Sequence, residues 1–317
     1  LTNTATILIG DVRKRLAEIP DQSVQCCITS PPYYGLRDYG VDGQIGLEES
    51  PREFVDALVE TFREVHRVLR DDGTLWLNLG DSYYNYRPGK GQAMVQQTLA
   101  NTKQDLPDSC PRRANKLDGY KEKELLGIPW RVAFALQDDG WYLRQDIIWA
   151  KPNPMPESVK DRCTKSHEHL FLLTKAPTYY FNHEAIKEPA TRPKGNPRQF
   201  GASNQVGTFR NDEGRMFVDD GTRNKRDVWF IPTKPYKGAH FAVMPEALVE
   251  PCVLASTNPE APTNTVLDPF TGSGTVAVVA LRNGCDFIGT ELSADYAKIA
   301  TNRIEEDQPL FNTVTVK

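Results

Sequence analysis

Cysteine and histidine are scarce in this 317-residue sequence, and neither falls in a metal-binding pattern. The six cysteines (26, 27, 110, 163, 252 and 285) form no C-x-x-C pair, and the five histidines are scattered. That excludes a zinc site or a disulfide framework as the organising device and leaves a reduced, cytoplasmic protein as the expectation. No run of 18 apolar residues occurs, so no membrane span is expected. The start, Leu1-Thr2-Asn3-Thr4-Ala5-Thr6-Ile7, lacks the basic-then-apolar order of a signal peptide. It also lacks an initiator methionine, which suggests a processed or trimmed start. A strong excess of either charge is missing too: the net charge is −4, which at first argues against a nucleic-acid partner.

What is present is ordinary for a folded chain, with 25% charged and 39% apolar residues. The length supports one large domain or two smaller ones. The charge is unevenly spread. Residues 85–124 carry a net +3 and residues 182–238 a net +4, leaving −11 on the remainder. Duplex binding requires a local basic face rather than a basic protein, so both segments qualify as nucleic-acid surfaces or as solvated loops.

Thr29-Ser30-Pro31-Pro32-Tyr33-Tyr34 closes the apolar run Val24-Gln25-Cys26-Cys27-Ile28, which has strand length and β-branched ends. Neither proline can donate an N–H to a ladder, so the strand stops there. The carbonyls of Ser30 and Pro31 are left without strand partners, and two tyrosine rings follow. Acceptors beside aromatic faces at the carboxyl end of a strand suit a flat ligand bearing an NH₂ group. A proline-rich loop with both tyrosines packed on the core accounts for the same residues.

A second motif lies near the other end. Asn264 to Asp268 reads as a buried strand, followed by Pro269-Phe270-Thr271-Gly272-Ser273-Gly274-Thr275-Val276-Ala277. The G-x-G-x-x-A spacing is a dinucleotide-type fingerprint opening a helix from Val276 to Asn283. The next strand is Cys285 to Thr290, and Glu291 stands nineteen residues after Gly272, where an acid accepts bonds from ribose hydroxyls. Only 43 residues follow Gly274, so the rest of the sheet must come from the N-terminal half.

With these two motifs in this order, the chain resembles the DNA amino-methyltransferases of the permuted (beta-type) group, in which the catalytic motif precedes the cofactor motif. The resemblance rests on Ser30-Pro31-Pro32-Tyr33 and on Phe270-Thr-Gly272-Ser-Gly274, and it extends over nearly the whole chain. It implies an α/β, Rossmann-like methyltransferase fold with a mostly parallel, circularly permuted sheet and irregular DNA-recognition insertions. Residues 1–181 would form the N-terminal half with the catalytic motif, with 82–124 an inserted loop region. Residues 182–230 would recognise the target, and 231–317 would complete the sheet as the cofactor half.

The resemblance further implies S-adenosylmethionine as cofactor, held by Asp11, Asp268, Phe270, Gly272, Gly274, Thr275, Glu291 and His240. Asp11 matches the acid that contacts the adenine amino group, although aspartate is also a favoured helix N-cap. Double-stranded DNA is the implied partner, with a homodimer allowed and a cognate restriction endonuclease not required. Arg192, Lys194, Arg198, Arg210, Arg215, Arg223 and Arg226 are candidate DNA contacts, to phosphates or to guanine edges. Lys151 and Asn153, in a W-x-K-x-N-P-x-P stretch, are substrate candidates by the same analogy.

The implied reaction is direct displacement: an exocyclic amine, gripped by the Ser30 side chain and the Pro31 carbonyl, attacks the sulfonium methyl in line and S-adenosylhomocysteine leaves. Tyr33 would stack on the extruded base, while Tyr34 assists or packs in the core. Serine at the first motif position favours cytosine N4 slightly over adenine N6. Two rivals stand beside this reading. A nicotinamide-dependent dehydrogenase would share the glycine turn but leave Ser30-Pro-Pro-Tyr unexplained. A catalytically inactive DNA-binding protein would give the two motifs no reason to coexist.

Overall fold

The computed structural model describes residues 3–36, 38, 40–84, 119–190, 221–234, 243–307 and 312–317. The chain opens with β1 (Asn3–Ile9), α1 (Val12–Leu16), β2 (Val24–Thr29), α2 (Pro51–Val68) and β3 (Leu69–Leu79). α3 (Ile128–Asp138), β4 (Tyr142–Ala150) and β5 (His167–Thr174) follow. A small ribbon of β6 (Glu188–Pro189) and β7 (Thr222–Arg223) precedes β8 (Val228–Phe230). α4 (Glu246–Ser256), β9 (Thr265–Asp268), α5 (Thr275–Arg282), β10 (Asp286–Glu291), α6 (Ala294–Asp307) and β11 (Asn312–Val316) complete it.

Nine strands form one sheet in the order β11-β1-β10-β9-β2-β3-β5-β4-β8. Both pairings of β5 are antiparallel, and all the others are parallel. The sheet is covered on both faces, as parallel strands require. α1, α2 and α3 pack on one face and α4, α5 and α6 on the other. This is a doubly wound, Rossmann-like α/β architecture. The N- and C-terminal parts of the chain meet in its centre, where β2 lies beside β9.

Local chemistry explains the elements that frame this centre. Ser50 caps α2: its hydroxyl accepts from Glu53 N, and the Glu53 carboxylate accepts from Ser50 N, with Pro51 at the first helical position. Such a cap contributes about 1 kcal/mol. Phe54, Leu58, Phe62 and Val65 then form one buried stripe against the sheet. Arg70-Asp71-Asp72-Gly73, just after the helix, is absorbed inside β3. Val24 pairs with Leu69 and Cys26 with Thr74, so these four residues make a register irregularity.

From β2 the chain passes through α2 on one face to β3, and from β9 through α5 on the opposite face to β10. Connections that diverge from adjacent strands open a crevice at their carboxyl ends, the usual ligand position in such sheets. The reversal of β5 has a particular effect at this edge. It brings the first residues of that strand, rather than its last, to the line where the parallel strands end.

Two further strands complete the sheet at its edges. The C-terminal tail forms β11, a parallel partner of β1. β8 is an edge strand of the main sheet, although it falls within residues 182–230. The described ends of the 82–124 segment are pinned together: Tyr83 bridges Leu125, and Tyr84 N donates to Glu124 O at 2.8 Å. Residues 85–118 lie outside the described residues. Among the described residues, no helix is long and apolar enough to cross a membrane.

Candidate active site

The two sequence motifs are joined by a hydrogen bond at the centre of the crevice. Thr29 Oγ1, at the end of β2, donates to Asp268 Oδ1 at the end of β9, at 2.7 Å and across 239 positions of sequence. The same oxygen accepts from Phe270 N at 3.0 Å, which starts the glycine turn. Gly272 and Gly274 both hold positive φ, +51° and +77°. Gly272 N donates to Glu291 Oε2 at 2.8 Å, and Ser293 N donates to Glu291 Oε1 at 2.9 Å. The acid expected to face a ribose therefore also shapes the loop.

Asp268 is buried and Glu291 half-buried. Burial pushes the Asp268 carboxyl up to about 7, despite the bonds from Thr29 and Phe270 N. Burial also raises Glu291, and its backbone hydrogen bonds do not cancel that effect. Neither acid has an ion-pair partner among the described residues. Two desolvated acids without a cation fit a ligand that brings hydroxyl donors and positive charge.

The remaining cofactor candidates are placed differently. Asp11 follows β1 and caps α1, with its carboxylate taken by Arg13 N at 2.9 Å and by the Arg13 guanidinium at 2.6 and 3.0 Å. Those bonds hold its carboxyl below the usual range. Phe270 packs half-buried against the core. Thr275 faces α6 rather than the crevice, and its Oγ1 accepts from Arg303 at 2.8 Å. His240 lies outside the described residues.

On the other side of Thr29, Ser30 and Tyr33 join a cluster built from three more strand ends. Tyr33 OH donates to Glu168 Oε2 at 2.6 Å, and Asn78 Nδ2 donates to the same carboxylate oxygen at 2.9 Å. Asn78 Nδ2 also lies 2.8 Å from Tyr33 OH and 3.3 Å from Ser30 Oγ. Glu168 Oε1 pairs with Lys151 Nζ, which sits over the Trp149 ring. Burial pushes Glu168 up, but the Lys151 charge and the bonds from Lys151, Tyr33 and Asn78 outweigh it and hold the carboxyl below its usual range. Gly80 completes the frame. A Cβ there would lie 2.5 Å from Tyr33 Cε2 and 3.0 Å from Cδ2, so the ring occupies space that only glycine leaves open.

Pro31 is buried and Pro32 half-buried. The two tyrosines divide their work: Tyr34 is buried against Phe54, with ring centroids 5.4 Å apart, while Tyr33 faces the cluster. Lys151 is committed to Glu168, and Asn153 exchanges hydrogen bonds with the Thr233 backbone. Asn78, Gly80 and Glu168 escaped the sequence reading. The one local signal was an acid between His167 and His169 at the start of an apolar run.

Among the candidate DNA contacts, Arg223 and Arg226 both bind Glu188 Oε1, at 2.8 and 2.7 Å, next to Lys225 stacked over Trp229. Arg192, Lys194, Arg198, Arg210 and Arg215 lie outside the described residues.

Known proteins share both the sequence and the architecture. The profile of a DNA methylase family matches residues 24–302. The type II methyltransferase M.Cfr9I of Citrobacter freundii is 48% identical over 303 residues, covering 96% of this chain and 88% of that protein. M.SmaI of Serratia marcescens is 44% identical over 303 residues, covering 94% and 90%. Among solved structures, the cytosine-N4-specific PvuII DNA methyltransferase matches with a TM-score of 0.64 at 18% identity, covering 95% of this chain and 86% of that one. An M1.HpyAVI–SAM complex matches with a TM-score of 0.51 at 17% identity, covering 94% and 99%. With its profile match running from β2 into α6 and relatives this similar, the chain belongs to the DNA methylase family.

Proposed function

We propose that the chain transfers a methyl group from S-adenosylmethionine to the exocyclic amino group of a base extruded from double-stranded DNA, with cytosine N4 only slightly favoured over adenine N6. The carrying observation is the Thr29–Asp268 bond, which puts the Ser30-Pro31-Pro32-Tyr33 loop and the Phe270–Gly274 loop on one crevice. The cofactor loop comes after the catalytic loop in sequence, which supports assignment to the permuted group. Residues 1–181 and 231–317 then act as two halves of one methyltransferase domain, with 182–230 reading the target. A homodimer is an allowed assembly, a partner restriction endonuclease is not required, and the cytoplasm is the expected compartment.

S-adenosylmethionine, when bound, supplies an electrophilic methyl group on a sulfonium. Asp268 and Glu291 provide buried acids for its positive charge and ribose hydroxyls, and the open Gly272 turn admits it. Phe270, Gly274 and Asp11 border the same loop ends, and His240 completes the set carried over from the family, from which the Arg303 bond removes Thr275.

On the DNA side, the paired amine is engaged in its base pair, so the nucleotide leaves the stack before reacting. Ser30 Oγ and the Pro31 carbonyl accept its two N–H bonds and bias the nitrogen toward a tetrahedral geometry. Fixed acceptors of this kind contribute several kcal/mol. The amine is itself the nucleophile, so no covalent enzyme intermediate is required. Ser30 is too weak a base to deprotonate it beforehand, and the proton leaves to water after transfer. Tyr33 covers the base. Arg223 in β7 and Arg226 just after it are candidates for phosphate contacts, as by sequence are Arg192, Lys194, Arg198, Arg210 and Arg215.

Transfer of a tritiated methyl group to plasmid DNA tests this reading. Incorporation into DNA, abolished by Tyr33→Ala with cofactor binding retained, is expected. Nicotinamide binding without methyl transfer would overturn it.

A further inference from the structure

We propose that Glu168, with Lys151 as its counter-ion, is a positioning residue for methyl transfer: it sets the direction of a hydrogen-bond chain that presents the Ser30 hydroxyl as an acceptor. The inference rests on the reading above, in which Ser30 accepts a bond from the target amine.

Glu168 reaches the site because β5 is the reversed strand of the sheet, so its first residues stand at the carboxyl edge of β2 and β3. Its side chain is only 13% exposed and that of Lys151 17%. Two charges buried this deeply gain stability only where hydrogen bonds satisfy the remaining atoms. Here those bonds run to the catalytic loop. Oε1 pairs with Lys151, while Oε2 receives Tyr33 OH at 2.6 Å and Asn78 Nδ2 at 2.9 Å.

An ionised carboxylate is an acceptor only, whereas hydroxyls both donate and accept. A chain that ends on Glu168 therefore has one direction. Tyr33 gives its single hydroxyl proton to Glu168, so the Tyr33 oxygen is left to accept. Ser30 Oγ, 3.4 Å from Tyr33 OH, aims its own proton that way. The Asn78 amide is fixed in the same sense, since its NH₂ must face the carboxylate and then also faces Ser30 Oγ. With its proton turned inward, Ser30 keeps lone pairs for an amine N–H.

A glutamine at position 168 matches the shape of glutamate but can donate. It allows the chain to reverse, so that Tyr33 donates to Ser30 and Ser30 points its proton at the amine, a donor facing a donor. Charge-assisted acceptors are also stronger than neutral ones, so the glutamine anchors Tyr33 less tightly.

The test compares full-length wild type with Glu168→Gln, Glu168→Gln/Lys151→Met and Tyr33→Phe, measuring kcat for methyl transfer, cofactor Kd by calorimetry and Tm. Glu168→Gln should lower kcat by about 100-fold with cofactor Kd unchanged. The neutral double variant should recover the Tm lost in Glu168→Gln, because no charge is left unpaired. Its kcat should stay low. Effects of Glu168→Gln and Tyr33→Phe on kcat should be strongly non-additive, since both act through one hydrogen bond. Recovery of kcat together with Tm in the double variant would reduce the pair to a structural plug and overturn the proposal. So would a kcat for Glu168→Gln within about threefold of wild type. A wild-type protein that transfers no methyl group to DNA would instead overturn the functional reading itself.

Discussion

Two buried acidic centres lie at the same edge of the sheet, and their surroundings treat them in opposite ways. Asp268 and Glu291 are desolvated without a cation partner among the described residues, and both carboxyls are pushed up. Glu168 is as deeply placed, but Lys151, Tyr33 and Asn78 surround it and its carboxyl is pushed down. Burial costs are similar in kind on both sides, so the difference lies in who neutralises the charge. In the proposed reading, the first pair leaves that task to the cofactor. The second completes it internally and uses the result to fix a hydroxyl chain. A receiving centre should respond to ligand and pH, and a holding centre to shape and hydrogen-bond direction.

Gly272→Leu should produce the largest break on the receiving side. Its Cβ would meet nothing closer than 3.8 Å, so the side chain fits in the free protein and fills the crevice instead. The left-handed φ of +51° adds only about 1–2 kcal/mol of strain. Calorimetry should detect no S-adenosylmethionine binding, while the Tm falls modestly. Tyr33→Ala should break the other side alone, with cofactor Kd within about twofold of wild type and turnover reduced by about 100-fold or more.

Gly80→Ala offers a finer cut. The added methyl overlaps the Tyr33 ring at 2.5 Å, so the ring must shift while the Glu168 anchor stays. Turnover should fall roughly tenfold with cofactor binding intact, read by single-turnover methyl transfer. Unchanged turnover would show that the ring position has slack.

The last prediction concerns stability and pH rather than turnover. Asp268 ionises near 7 in the free protein against 3.8 in an unfolded chain. A raised acid makes the unfolded state lose its proton first, so this group's contribution to stability is intact below pH 3.8 and is lost as pH rises to about 7. The loss is at most about 4 kcal/mol. Urea melts between about pH 5 and pH 8 should show this decline in wild type, and Asp268→Asn should flatten it.

The receiving side was the more legible in sequence. A strand, a glycine turn and an acid nineteen residues on are local signals, since backbone sterics and strand ends dictate those residue types. The strand ending at Ser30-Pro31 was readable for the same reason, because proline stops a ladder wherever it stands. The holding side was not. Its members Tyr33, Asn78, Lys151 and Glu168 come from four chain segments, and Glu168 meets Tyr33 across 135 positions. Nothing in an apolar run states whether the strand runs up or down the sheet, and Glu168 matters only because β5 runs down. Thr275 carries the converse lesson: its place in the motif suggested the crevice, but Arg303 of α6 takes its hydroxyl. β11 was missed because a five-residue tail strand has no turn signal and depends on β1 for its pairing.

Delivery of a methyl group to a base amine by the joined loops is read out by single-molecule sequencing of DNA from cells expressing the protein. An amino-methylated base, cytosine N4 slightly ahead of adenine N6, is expected at one recurring sequence and should be absent from cells carrying Tyr33→Ala. DNA without modified bases in wild-type expressing cells, or methylation at a ring carbon, would contradict it.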